Sequence, residues 1–91
     1  MLNYQNIRAD KFKFTHSFFR GMTNSDVTEL QKIFSQIPGI YPEAIISGYF
    51  GQLTERAVQR YQLQYQIVTE TTDHGYGYVG PKTRGRLNVG E

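Results

Sequence analysis

The side chains that could do acid–base or metal chemistry are few and scattered. The two histidines, His16 and His74, lie far apart in the chain. Asp73-His74 has the makings of half an acid–base or metal pair. It sits in the polar run TETTDHG with no partner at metal-ligand spacing, and it reads as a solvated loop pair. There is no cysteine, hence no thiol nucleophile, no Cys-based zinc site and no disulfide framework. Neither an HExxH helix nor a Gly-x-Ser-x-Gly elbow is present. The acids Glu43, Glu55, Glu70 and Asp73 have no spacing that pairs two carboxylates for hydrolysis. GYGYVG has glycines but follows no strand and lacks phosphate-loop spacing, so it reads as a turn. The chain is expected not to be an enzyme, with no catalytic residues, no metal and no cofactor.

The elements carry more information. SGYFGQLTERAVQRYQ, residues 47–62, is partly repeated in YGYVGPKTRGRLN, residues 76–88. Gly48, Tyr49, Phe50, Gly51 and Thr54 correspond to Gly77, Tyr78, Val79, Gly80 and Thr83. Each copy is a glycine turn that delivers a helix start. The central apolar residue anchors the turn, the second glycine lets the backbone bend, and the threonine lies in the first helical turn, where its hydroxyl can bond free backbone groups. Ahead of them, NSDVTELQKIFSQIPG reads as a helix. Asn24 to Asp26 supply capping side chains, Asp26 and Glu29 can form a capping box, and Val27, Leu30, Phe34 and Ile37 share a face. Pro38-Gly39 ends it. In IYPEAIISGYFG, Ile40, Ile45, Ile46 and Phe50 are expected to bury against that helix. QLTERAVQRYQLQY is the second helix, with Thr54, Ala57, Val58, Tyr61 and Tyr65 on one face. PKTRGRLN is a short third helix, opened by Pro81 and weakened by Gly85. The expected fold is all-α: a small orthogonal three-helix bundle with two Gly-x-apolar-Gly turns leading into helices 2 and 3.

With 91 residues, one domain with a thin core is expected, and six Phe and seven Tyr must supply much of it. Residues 1–13 are polar and aperiodic and read as an arm or linker. The domain proper is taken as 14–91, with Phe14 and Phe18 pinning its lead-in segment. A net charge of +2 with interspersed signs gives no basic face for nucleic acid. No run is long and apolar enough to span a membrane, and MLNYQNIRADKFKF lacks the hydrophobic core of a signal peptide. The expectation is therefore a cytoplasmic protein, a module of a longer chain, or a particle component that needs no signal.

Taken together, DVTELQKIF, SGYFGQLTERAVQRYQ and GYVGPKTRGRLN resemble the peptidoglycan-binding domain, a small three-helix cell-wall module. Asp26, Val27, Leu30 and Gln31 match its first block. Gly48, Phe50, Gly51, Thr54, Ala57, Val58, Tyr61 and Gln62 match the second, and Gly77, Val79, Gly80, Thr83 and Leu87 the third. The resemblance covers residues 14–88. Ser47 stands where the family often has Asp, Gln66 where it has Gly, and Tyr61 where it has Phe. Ser47 can still accept a backbone bond, and a left-handed Gln66 would cost about 1 kcal/mol relative to glycine.

The resemblance implies a non-catalytic module that targets bacterial peptidoglycan and is carried at the cell envelope, extracellularly or on a virion. Sugars offer apolar faces to tyrosine rings, and stem peptides offer carboxylates to arginine. The expected ligand-binding residues are Tyr49, Tyr78, Arg56 and Arg84, lining a shallow groove, with Tyr41, Tyr76 and Arg60 nearby. The other reading of Tyr49 and Tyr78 is that each ring merely packs over its own turn. A rival role is a structural docking domain in a multi-protein surface or virion assembly, using the N-terminal arm to reach a neighbouring chain. An arm that folds back on its own domain favours wall binding over docking.

Overall fold

The computed structural model describes residues 12–89, so most of the expected arm lies outside the described residues. Three helices follow in order: α1 (Ser25–Ser35), α2 (Gln52–Gln64) and α3 (Pro81–Val89). Among the described residues no strand forms, and the all-α expectation holds. Asn24 caps α1, its Oδ1 accepting from the Val27 N–H at 2.9 Å. The glycines do the corresponding work for the other two helices. The Gly51 carbonyl accepts from Glu55 N–H at 3.0 Å and the Gly80 carbonyl from Arg84 N–H at 2.9 Å.

The helix α1 stops at Ser35, short of Pro38-Gly39. Proline disfavours helical backbone at the residue before it, here Ile37, so the chain leaves through tighter turns closed by Gln36 N–H to Ile33 O and Ile37 N–H to Phe34 O. After α2, Gln66 takes the left-handed conformation with φ 57, as its place after a helix C-terminus requires. The connector departs from expectation in one respect. Ile40 and Phe50 are fully buried, but Ile45 and Ile46 are exposed. Tyr41 fills the space instead. Its ring is buried and its hydroxyl donates to the Ile45 carbonyl at 2.8 Å, so residues 42–47 pass over the surface.

Phe14, Phe18, Leu30, Phe34, Ile40, Phe50, Tyr61, Val79 and Leu87 form one core. Phe14 and Phe18 do pin the lead-in segment, which works as a strap across both turns. Its start is held by Asn88 of α3, whose side-chain amide accepts from Phe14 N–H at 2.8 Å and donates to Phe14 O at 2.9 Å. Phe18 then exchanges both backbone bonds with Val79, at 3.2 and 3.0 Å. Further on, Gly21 N–H donates to Phe50 O at 2.8 Å and Phe50 N–H to Met22 O at 2.9 Å. The central residues of the two turns, Phe50 and Val79, are thus each buried by side chain and paired by backbone to the same strap.

Candidate binding site at the two glycine turns

Each turn is closed from below by a buried glutamine on the preceding helix. Gln31 of α1 accepts from the N–H groups of Ser47 and Gly48, both at 2.9 Å, and donates through Nε2 to Tyr49 O and Thr54 Oγ1, both at 3.0 Å. Gln62 of α2 repeats the arrangement. Its Oε1 accepts from Gly77 N–H at 2.7 Å, and its Nε2 serves Gly75 O and Tyr78 O at 2.9 Å and Thr83 Oγ1 at 3.1 Å. A primary amide suits this place because it offers acceptor and donors from one planar group. Thr54 and Thr83 therefore use their hydroxyls on glutamine rather than on free helix backbone.

The two glycines of each turn do different jobs. Gly48 and Gly77 take positive φ, 82° and 84°. A Cβ on Gly48 would also lie 2.9 Å from Thr28 Oγ1. Gly51 has φ −103°, which other residues adopt freely. Gly51 must be small because the Tyr49 ring lies across it, 2.9 Å from where a Cβ would stand. Tyr78 covers Gly80 in the same way, at 2.7 Å. Ser47 does what the usual Asp would do, its hydroxyl accepting from Tyr49 N–H at 3.1 Å.

Beside each tyrosine is a cavity. The first, about 220 Å³, is lined by Tyr41, Ile45, Ser47, Tyr49, Gln52 and Leu53 among others. The second, about 310 Å³, lies between Ile67, Val68, Asp73, Tyr78, Pro81 and Lys82. Both sit at a helix start and share the tyrosine, the second glycine and the buried threonine of their turn.

Of the expected site residues, Tyr41, Tyr49 and Tyr78 line a cavity, and Tyr49 and Tyr78 line different ones. Tyr49 is 51% exposed and lines the first, together with Tyr41. Tyr78 is half-buried, stacks on the exposed Phe19 ring at 5.7 Å and lines the second. Both tyrosines thus pack over their turns and also face a cavity. Tyr76 is half-buried in the second turn. The three expected arginines, Arg56, Arg60 and Arg84, line neither cavity. Arg56 is exposed, and Arg60 donates to the Ile40 carbonyl at 3.0 Å. Arg84 is half-buried, and Arg86 lies 4.5 Å over the Tyr65 ring. Leu53, Ile67, Asp73 and Lys82 were not expected as lining residues. The repeat carried a signal for Leu53 and Lys82, which both stand two residues after the second glycine of their turn, whereas Ile67 and Asp73 lie between the copies and carried none. Asp73 and His74 are exposed, and Asp73 Oδ1 accepts from Gly75 N–H at 2.8 Å, shaping its own loop.

A protein-family model described as "Putative peptidoglycan binding domain" matches residues 23–87, most of the chain. No curated relative and no solved structure gives a significant match.

Proposed function

Since this chain belongs to the peptidoglycan binding domain family, we propose that it is a non-catalytic module that holds its carrier on bacterial cell-wall peptidoglycan. The family match carries this reading. The paired tyrosine-lined cavities are consistent with it, because an exposed tyrosine ring beside hydroxyl and amide groups suits a sugar with one apolar face. In this reading Tyr49 and Tyr78 are the principal contacts, with Tyr41 beside Tyr49 in the first cavity and Tyr76 a further contact close to the second turn in sequence. Arg56, Arg60 and Arg84 supply positive charge toward the acidic groups of the wall. Cell-wall association follows from such a role, whether the carrier is an envelope protein or a virion. No helix among the described residues is long and apolar enough to cross a membrane.

The docking alternative needs an aromatic arm free to reach a neighbour. Most of that arm lies outside the described residues; the lead-in that follows it is buried in its own domain through Phe14 and Phe18.

Co-sedimentation of the purified chain with purified sacculi tests the proposal. Pelleting that survives moderate salt and is competed by soluble wall fragments is the expected result. Tyr49→Ala and Tyr78→Ala should each reduce the pelleted fraction several-fold while leaving the circular dichroism spectrum intact. No pelleting of folded protein would remove the wall-binding reading.

A further inference from the structure

The two turn cavities occupy equivalent places in the repeat, so their differences report specialisation. Both have a covering tyrosine, a buried threonine and a helix start; these shared features do not distinguish them. The lining does. Among the described residues the first cavity has no carboxylate, ammonium or guanidinium side chain, and its walls are aromatic, aliphatic, hydroxyl and amide. In the second, the place of Leu53 is taken by Lys82, and the loop contributes Asp73. Lys82 is exposed and has no ion-pair partner among the described residues. Asp73 spends one carboxylate oxygen on Gly75 N–H. The same cavity is lined by the apolar surfaces of Ile67, Val68 and Pro81 and by the ring of Tyr78. The second cavity therefore combines a free cation, an anion and an apolar wall, and it is the larger of the two, at about 310 against 220 Å³.

We propose that the second-turn cavity is a peptide subsite that takes the stem peptide of peptidoglycan, while the neutral first-turn cavity is left to the sugar. The proposal rests on the wall-binding reading. A stem peptide presents carboxylates, small methyl side chains and, where it carries a diamino acid, an ammonium group. Lys82 pairs with a carboxylate, Asp73 faces the ammonium, and the methyl groups lie against Ile67, Val68 and Tyr78. With its lactyl carboxyl tied up in the amide to the peptide, the glycan itself has no formal charge to match Lys82 and gains nothing from its desolvation.

The test is a titration of the full ¹⁵N-labelled chain, followed by amide shifts, with three probes: intact sacculus fragments, glycan strands stripped of peptide by amidase with the freed lactyl carboxylates then amidated, and a synthetic stem tetrapeptide carrying a diamino acid. The tetrapeptide is expected to shift the amides of Gly75, Lys82 and Thr83 and to spare those of residues 51–54. Lys82→Ala, at an exposed position, should weaken tetrapeptide binding by about tenfold and leave the stripped glycan unaffected. The peptide subsite is overturned if the tetrapeptide shifts the first turn, if Lys82→Ala leaves its affinity unchanged, or if only sacculi and stripped glycan bind. Failure of all three probes would overturn the wall-binding reading as well, so the two failures are separable.

Discussion

At the residue scale, two buried amides and two tyrosine rings govern the turns. Truncating Gln31 or Gln62 strands buried groups at once: the Gly48 or Gly77 N–H, a threonine hydroxyl and a turn carbonyl. Each unsatisfied buried group costs about 1–3 kcal/mol, and some regain water on relaxation. Gln31→Ala and Gln62→Ala should therefore each lose about 3 kcal/mol in urea unfolding. A loss below about 1 kcal/mol would mean that the turns hold without the amides. The covering rings give a second prediction. Gly51→Ala forces aside a Tyr49 ring that is half in solvent, whereas Gly80→Ala meets a Tyr78 ring stacked on Phe19. Gly80→Ala should be the costlier change, by about 1 kcal/mol, and equal losses would show that both rings move with equal ease. The repeat made these positions legible in sequence as a pattern. Their physics was less legible. Nothing in Gly-x-apolar-Gly tells a glycine chosen for its φ from one chosen for what lies on it, and a glutamine within a helix carries no mark of being buried.

At the element scale, periodicity found the helices and missed what the connectors do. Val27, Leu30 and Phe34, and Ala57, Val58 and Tyr61, are buried as their spacing demands. The connector has no period, so four apolar residues looked alike, and only the Tyr41 hydroxyl bond shows why Ile45 and Ile46 stay outside. The same reasoning identifies two positions where an element is weaker than it needs to be. A Cβ on Gly85 of α3 would meet nothing within 4 Å. Gly85→Ala should therefore stabilise by about 0.5–1 kcal/mol, through helix propensity alone. Gln66 is exposed with φ 57. Gln66→Gly should relieve about 1 kcal/mol of left-handed strain, less the greater freedom of glycine in the unfolded chain. Thermal unfolding checks both. A fall in Tm for Gly85→Ala would mean that the short third helix is not limited by its own propensity.

At the scale of the whole molecule, one strap ties both halves of the repeat together, and its bonds are unequally backed. The Phe50 pairing is flanked by Gly21 and by Asn24 N–H to Gly48 O at 3.2 Å, where the strap runs straight into α1. The Val79 pairing depends on Phe18, and beyond it the strap is held by the Phe14 and Phe18 rings and the two-point Asn88 bond. Removing the Phe18 ring should cost about 3–5 kcal/mol. Against a total of about 5–15 kcal/mol for a domain of ordinary stability, that loss is close to global unfolding and says little about the strap itself. Asn88→Ala is the sharper probe. It removes two backbone anchors near the chain surface, worth about 1–2 kcal/mol together, without opening the core. The strap should then fray from its Phe14 end while staying fixed at α1. In native-state hydrogen exchange, the Val79 amide, which donates to Phe18 O, should lose protection by about tenfold or more. The Phe50 amide, which donates to Met22 O, should change by less than about threefold. Equal loss at both amides would show that the strap opens as one unit. The second-turn cavity could then not loosen independently of the first, because both turns would answer to a single closure.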